Sequence, residues 1–120
     1  MVELEIDDTL NNALILFADH SLVDIITIIG QKKPYENGNS DTRSKLETLA
    51  KKYQDYAKLQ LESGKITVDP STLMMLMGML QSYEKYLKIL VNQGIEKELN
   101  SEKLKNIPST MKKVSTLLSD

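Results

Sequence analysis

Apolar residues recur along most of this chain every three or four positions, the spacing that gathers them on one face of an α-helix. Leu10, Ala13, Leu14 and Phe17 follow this rule after Asp7, Asp8 and Thr9, any of which can cap a helix start through a side-chain oxygen. Asp19-His20-Ser21 interrupts the stripe, and Leu22, Ile25, Ile26 and Ile29 resume it as far as Gly30, a natural helix stop. Ile25–Ile26 and Ile28–Ile29 are adjacent pairs rather than alternating residues, which favours helix over strand despite their β-branching. One kinked helix and two separate helices satisfy residues 8–30 equally well. Pro34, Asn37-Gly38 and Asn39-Ser40 then mark a flexible loop over 31–40. A further stripe, Leu46, Leu49, Ala50, Tyr53, Tyr56, Ala57 and Leu61, predicts a helix that ends at Gly64.

Two short stretches alternate instead. Val2, Leu4 and Ile6 are separated by Glu3 and Glu5, and Ile66 and Val68 by Thr67. Each is too short to stand alone, but residues 2–6 and 65–68 can pair as a two-stranded ribbon if helices pack behind it.

Asp69-Pro70 is the clearest local signal, a preferred N-cap followed by the residue favoured in the first helical position. A helix is predicted from Pro70 to about Asn92, with Gly94 just beyond it. Counted in sevens, Leu73, Leu80 and Leu87 share one position and Leu76, Tyr83 and Leu90 share another, which is the seam helices use against each other. A second stripe of Met75, Met79, Tyr86 and Ile89 lies round the cylinder, with Met74 and Met77 in the gap. Gly78 and Ser82, four apart, let a neighbour approach closely. An apolar surface on so many sides belongs either to the central helix of a bundle or to a helix covered by another molecule. Methionine suits adaptable interfaces, so Met74, Met75, Gly78, Met79, Ser82, Tyr86 and Ile89 form a candidate protein interface, with a homodimer as one expected use. Beyond Gly94, Asn100-Ser101 is expected to open a short helix and Pro108-Ser109 a last one, striped by Met111, Val114, Leu117 and Leu118.

The 120 residues suit one domain, 1–120, which needs no disulfide or metal to fold. The net charge of −2 is unevenly spread: residues 1–30 hold Glu3, Glu5, Asp7, Asp8, Asp19 and Asp24 and neither Lys nor Arg. The simplest expectation is that this acidic third faces the basic middle third. The alternative is a surface for a basic partner at Glu3, Glu5, Asp7 and Asp8. The acidic start is not that of an export signal, and no apolar run approaches the ~20 residues of a membrane span. A cytoplasmic protein without membrane contact is expected.

Catalytic constellations are not legible. His20, the single histidine, has Asp19 and Ser21 as chain neighbours, and adjacent helical positions do not converge on one point. No Glu-x-x-His pair or glycine-rich phosphate loop occurs, and there is no cysteine. No metal, cofactor or catalytic residue is therefore expected. The fold class predicted is all-α, a bundle of four to five helices with room for the small ribbon. The function expected is a non-catalytic interaction or regulatory protein, of the accessory, inhibitor or immunity type. The alternative is a small DNA-binding regulator that uses the C-terminal helices, where Lys103, Lys105, Lys112 and Lys113 surround a helix-turn-helix-like pair. A pI near 5.4 weakens that alternative.

Overall fold

The computed structural model describes residues 2–30 and 40–119. Its elements run β1 (Val2–Glu5), α1 (Asp8–Asp19), α2 (Leu22–Gly30), α3 (Ser40–Ser63), β2 (Lys65–Val68), α4 (Pro70–Asn92) and α5 (Lys97–Ser119). This is an all-α bundle carrying one two-stranded ribbon. Apart from Ser40, the loop expected over 31–40 lies outside the described residues.

β1 and β2 pair antiparallel, with Val2 opposite Val68 and Glu5 opposite Lys65. The two short alternating stretches thus meet although about sixty positions of the chain separate them. Leu4 and Ile66 stand opposite each other in this register and are both buried, so the ribbon is anchored to the core by that pair.

Residues 8–30 form two helices. The N–H of His20 still reaches the Leu16 carbonyl at 2.9 Å, but the His20 backbone is extended. Ser21 then restarts the chain, its hydroxyl accepting from the Asp24 N–H at 3.1 Å. The side-chain amide of Gln54 on α3 donates to the Ala18 carbonyl at 2.9 Å, satisfying one of the orphan groups at the end of α1.

α4 is the central helix and forms its most extensive contact with α5. Asp69 accepts from the Thr72 N–H at 2.8 Å and Pro70 follows it, the start predicted from sequence. The end is a Schellman motif: the Gly94 N–H bonds the Val91 carbonyl at 3.0 Å and the Ile95 N–H bonds the Leu90 carbonyl at 2.9 Å. That geometry needs a left-handed residue at position 94, and glycine supplies it at φ 73°. Glu96 is also left-handed, at φ 40°, in the same four-residue turn. Asn100, only 3% exposed, closes the turn by donating its amide to the Ile95 carbonyl at 2.8 Å.

The sequence signals at Asn100 and Pro108 mislead. α5 is one helix from Lys97 to Ser119 with Pro108 inside it. Proline removes one ladder hydrogen bond and normally breaks a helix. Here Asn100, Leu104, Ile107, Met111, Val114 and Leu117 keep helical spacing through position 108, and all are buried or partly buried. Pro108 itself is exposed, and the continuous packed stripe outweighs its local cost.

Candidate protein-binding surface

The Met-rich face of α4 is largely consumed within the molecule. Met79 has no exposed surface and joins Leu73, Leu76, Leu80, Tyr83 and Leu87 in the core. As an interface residue Met79 is therefore corrected: it is core, because α4 is the central helix that a bundle of this size requires. Met75, Met77 and Tyr86 are partly buried against the same core. Gly78 is half-buried, and a Cβ there would meet the Tyr53 hydroxyl at 4.0 Å, so the tip of this α3 side chain reaches α4 at this point. Tyr53 also packs on Phe17 of α1, with ring centroids 5.8 Å apart. Ser82 and Ile89 are half-buried. Of the seven candidate interface residues, only Met74 stands well out, at 66% exposure.

The acidic candidates separate into two kinds. Asp7 is a structural hub. It caps α1 by accepting from the Leu10 N–H at 2.8 Å, and it also accepts from the Thr110 hydroxyl at 2.7 Å and the Lys113 ammonium at 3.3 Å on α5. Burial pushes its carboxyl up, but the bonds from Leu10, Thr110 and Lys113 outweigh this and hold it below the ordinary carboxylate value. Asp7 is thus committed within the fold. The expected pairing of the acidic third with the basic middle third is replaced, at this point, by pairing with the C-terminal helix. Asp8 is exposed beside it and shares a shallow depression of about 320 Å³ with Asn106 and Ser109.

Glu3 and Glu5 are exposed and belong to a larger feature. An open groove of about 560 Å³ runs between β1 and the C-terminal half of α5. One wall is Glu3, Leu4 and Glu5; the other is Ser109, Lys112, Lys113, Thr116 and Leu117. Sequence reasoning found the glutamates and missed the groove, because its opposite wall, which lies wholly within the last helix expected from Pro108 onward, meets β1 only in the folded molecule.

Two hydroxyls are buried, that of Tyr56, which has no hydrogen-bond partner among the described residues, and that of Tyr83, which has the Asn12 side chain beside it. Burial pushes both phenols above their ordinary value, and the charge of Asp69 adds to the effect at Tyr56. Neither lines the groove. Among the described residues no group of three or more His, Asp or Glu side chains is arranged to hold a metal ion. No helix among them is long and apolar enough to cross a membrane.

The helix-turn-helix-like pair expected at the C-terminus is one continuous helix, α5. Comparison with protein-family models, with curated proteins and with solved structures finds no match to this chain.

Proposed function

We propose that this chain is a cytoplasmic, non-catalytic helical protein that works through protein–protein contacts, as a small regulatory, accessory or inhibitory factor. The observation that supports this reading is the groove between β1 and α5. It combines an apolar base at Leu4 and Leu117 with charged walls of both signs, the mixture that lets a surface discriminate among protein partners. The groove joins the first and last elements of the chain, and the Asp7–Thr110–Lys113 cluster fixes their separation. A wall held in this way is pre-organised and does not have to be ordered on binding.

The test is paired. Lysate from the source cell is passed over the immobilised protein and over Glu5→Arg and Lys112→Glu variants, and the molar mass of each free protein is measured by light scattering over a range of concentrations. The expected result is at least one protein held by the unsubstituted chain and released by one or both variants, whose helical circular dichroism is unchanged. Retention of the same proteins by all three, or of none by any, overturns the reading. A mass that doubles with concentration and is abolished by either variant assigns the groove to self-association.

A further inference from the structure

We infer that Met74 is a reversible oxidation site: of the methionines on α4, it is the one that peroxide converts to the sulfoxide while the protein stays folded.

Four of the six methionines stand on α4, at positions 74, 75, 77 and 79. They share one helix and differ in what covers them. Met79 has no exposed surface, and Met75 and Met77 are partly buried against the core. Met74 is 66% exposed, the highest value of any large apolar residue among those described.

The helix explains the gradient. At 3.6 residues per turn Met79 falls on the side of Leu76, Leu80 and Tyr83, all buried, whereas Met74 falls on the side of Gln81, Lys85 and Lys88, all exposed. Helical side chains lean towards the N-terminus, so a surface position is covered by the residue about one turn further on. For Met74 that residue is Gly78, which has no side chain to lay over it. The turn before holds Pro70 and Ser71, both exposed and too short to reach across it. The thioether is left open to solvent.

The chemistry needs only that access. A sulfur lone pair forms the S–O bond as the O–O bond of hydrogen peroxide breaks. The second oxygen leaves as water after taking the proton from the transferred one. Sulfur loses two electrons and the peroxide gains them. The product is polar, so its cost depends on the surroundings of the sulfur. At Met79 the new dipole would lie in an apolar core, where an unpartnered polar group is costly. At Met74 it stays in water. Reversal is open for the same reason: a methionine sulfoxide reductase reaches the exposed sulfoxide, the oxygen leaves as water, and two thiols become a disulfide. The mark lies outside the β1–α5 groove and makes a prominent apolar position polar without entering the core.

The experiment treats the full chain with hydrogen peroxide in small steps and locates each added oxygen by mass-spectrometric fragmentation of the tryptic peptide 66–85. A buried group reacts only through opening of the structure around it, so Met74 is expected to react at least about tenfold faster than Met79, with Met75 and Met77 between them. Helical circular dichroism should be unchanged when the first oxygen is on Met74. Methionine sulfoxide reductases of both stereospecificities, supplied with dithiothreitol, should remove that oxygen from the folded protein. In concentrated urea the four methionines should react at similar rates. Met74→Leu, conservative at an exposed position, should slow the first uptake of oxygen by this peptide several-fold. Reaction of Met75, Met77 or Met79 as fast as Met74 overturns the inference. So do loss of helical signal with the first oxygen, failure of the reductases to remove it, and the same order of reaction in urea, which would trace the order to local sequence and not to the fold.

Discussion

Asp7 and Thr110 lie 103 positions apart in the chain and share a hydrogen bond of 2.7 Å, donated by the threonine hydroxyl to the carboxylate. The same carboxylate caps α1 and accepts from Lys113, so one side chain fixes a helix start and the docking of the last helix together. Asp7→Ala is expected to cost about 1–2 kcal/mol from the lost cap alone. Thr110, 4% exposed, becomes Val at similar shape, and the double variant should show a coupling with Asp7 of at least ~0.5 kcal/mol by urea unfolding. Strict additivity would mean the bond contributes nothing.

The same residue sets an acid limit. Its carboxyl is held below the ordinary value of 3.8, so its contribution is complete above that value and disappears as the pH falls through the lower value of the folded state. The stability gap between the unsubstituted chain and Asp7→Asn should be constant from pH 7 to 5 and close below about pH 4. A gap that widens in acid would contradict the direction of the shift.

Met79 and Met74, five apart on α4, should respond oppositely to the same change. Met79→Lys places a charge where nothing is exposed and is expected to unfold the chain, since an unpaired buried charge is among the costliest substitutions. Met74→Lys, at a residue 66% exposed, should alter stability by no more than ~0.5 kcal/mol. Thermal melts of the two variants decide it.

Two glycines make a second contrasting pair. Gly94 is left-handed at φ 73° in the Schellman turn, and alanine there should cost about 1–2 kcal/mol. Gly78 is inside α4 with the nearest foreign atom at 4.0 Å, an ordinary contact, so alanine there should gain about 0.5–1 kcal/mol. For a domain of this size each kcal/mol moves the melting temperature by about 3–5 °C.

Tyr56→Phe removes a buried hydroxyl that has no hydrogen-bond partner among the described residues. Stability should stay level or rise by about 1 kcal/mol. A loss greater than that, read from chemical unfolding, would show the hydroxyl to be bonded.

Much of the fold was legible because its punctuation is local. Asp69-Pro70 and Gly94 each act through their nearest neighbours, and the structure uses them as a cap and a stop. The ribbon was legible because period-two alternation at 2–6 and 65–68 has no other satisfactory partner. Pro108 was misread because its rule is local while the stripe through Ile107 and Met111 is tertiary. Met79 was placed on a surface because periodicity defines a helix face but not what covers it. Asp7 was legible as a cap, whereas its bond to Thr110 depends on two distant helices meeting. The groove depends likewise on β1 and α5 meeting in space.

The positions of β1 and α5 at opposite ends of the chain have a kinetic consequence. α4 and α5 are joined by a four-residue turn, so their pairing is local and rapid, whereas β1 must find β2 across about sixty residues. On this order the hairpin of α4 and α5 assembles early, and the N-terminal strand and helix dock late. The groove then comes into being only in the last folding step. A ligand held there recognises the finished molecule alone, and at one hundred times its dissociation constant it would shift the folding equilibrium by about 2.7 kcal/mol.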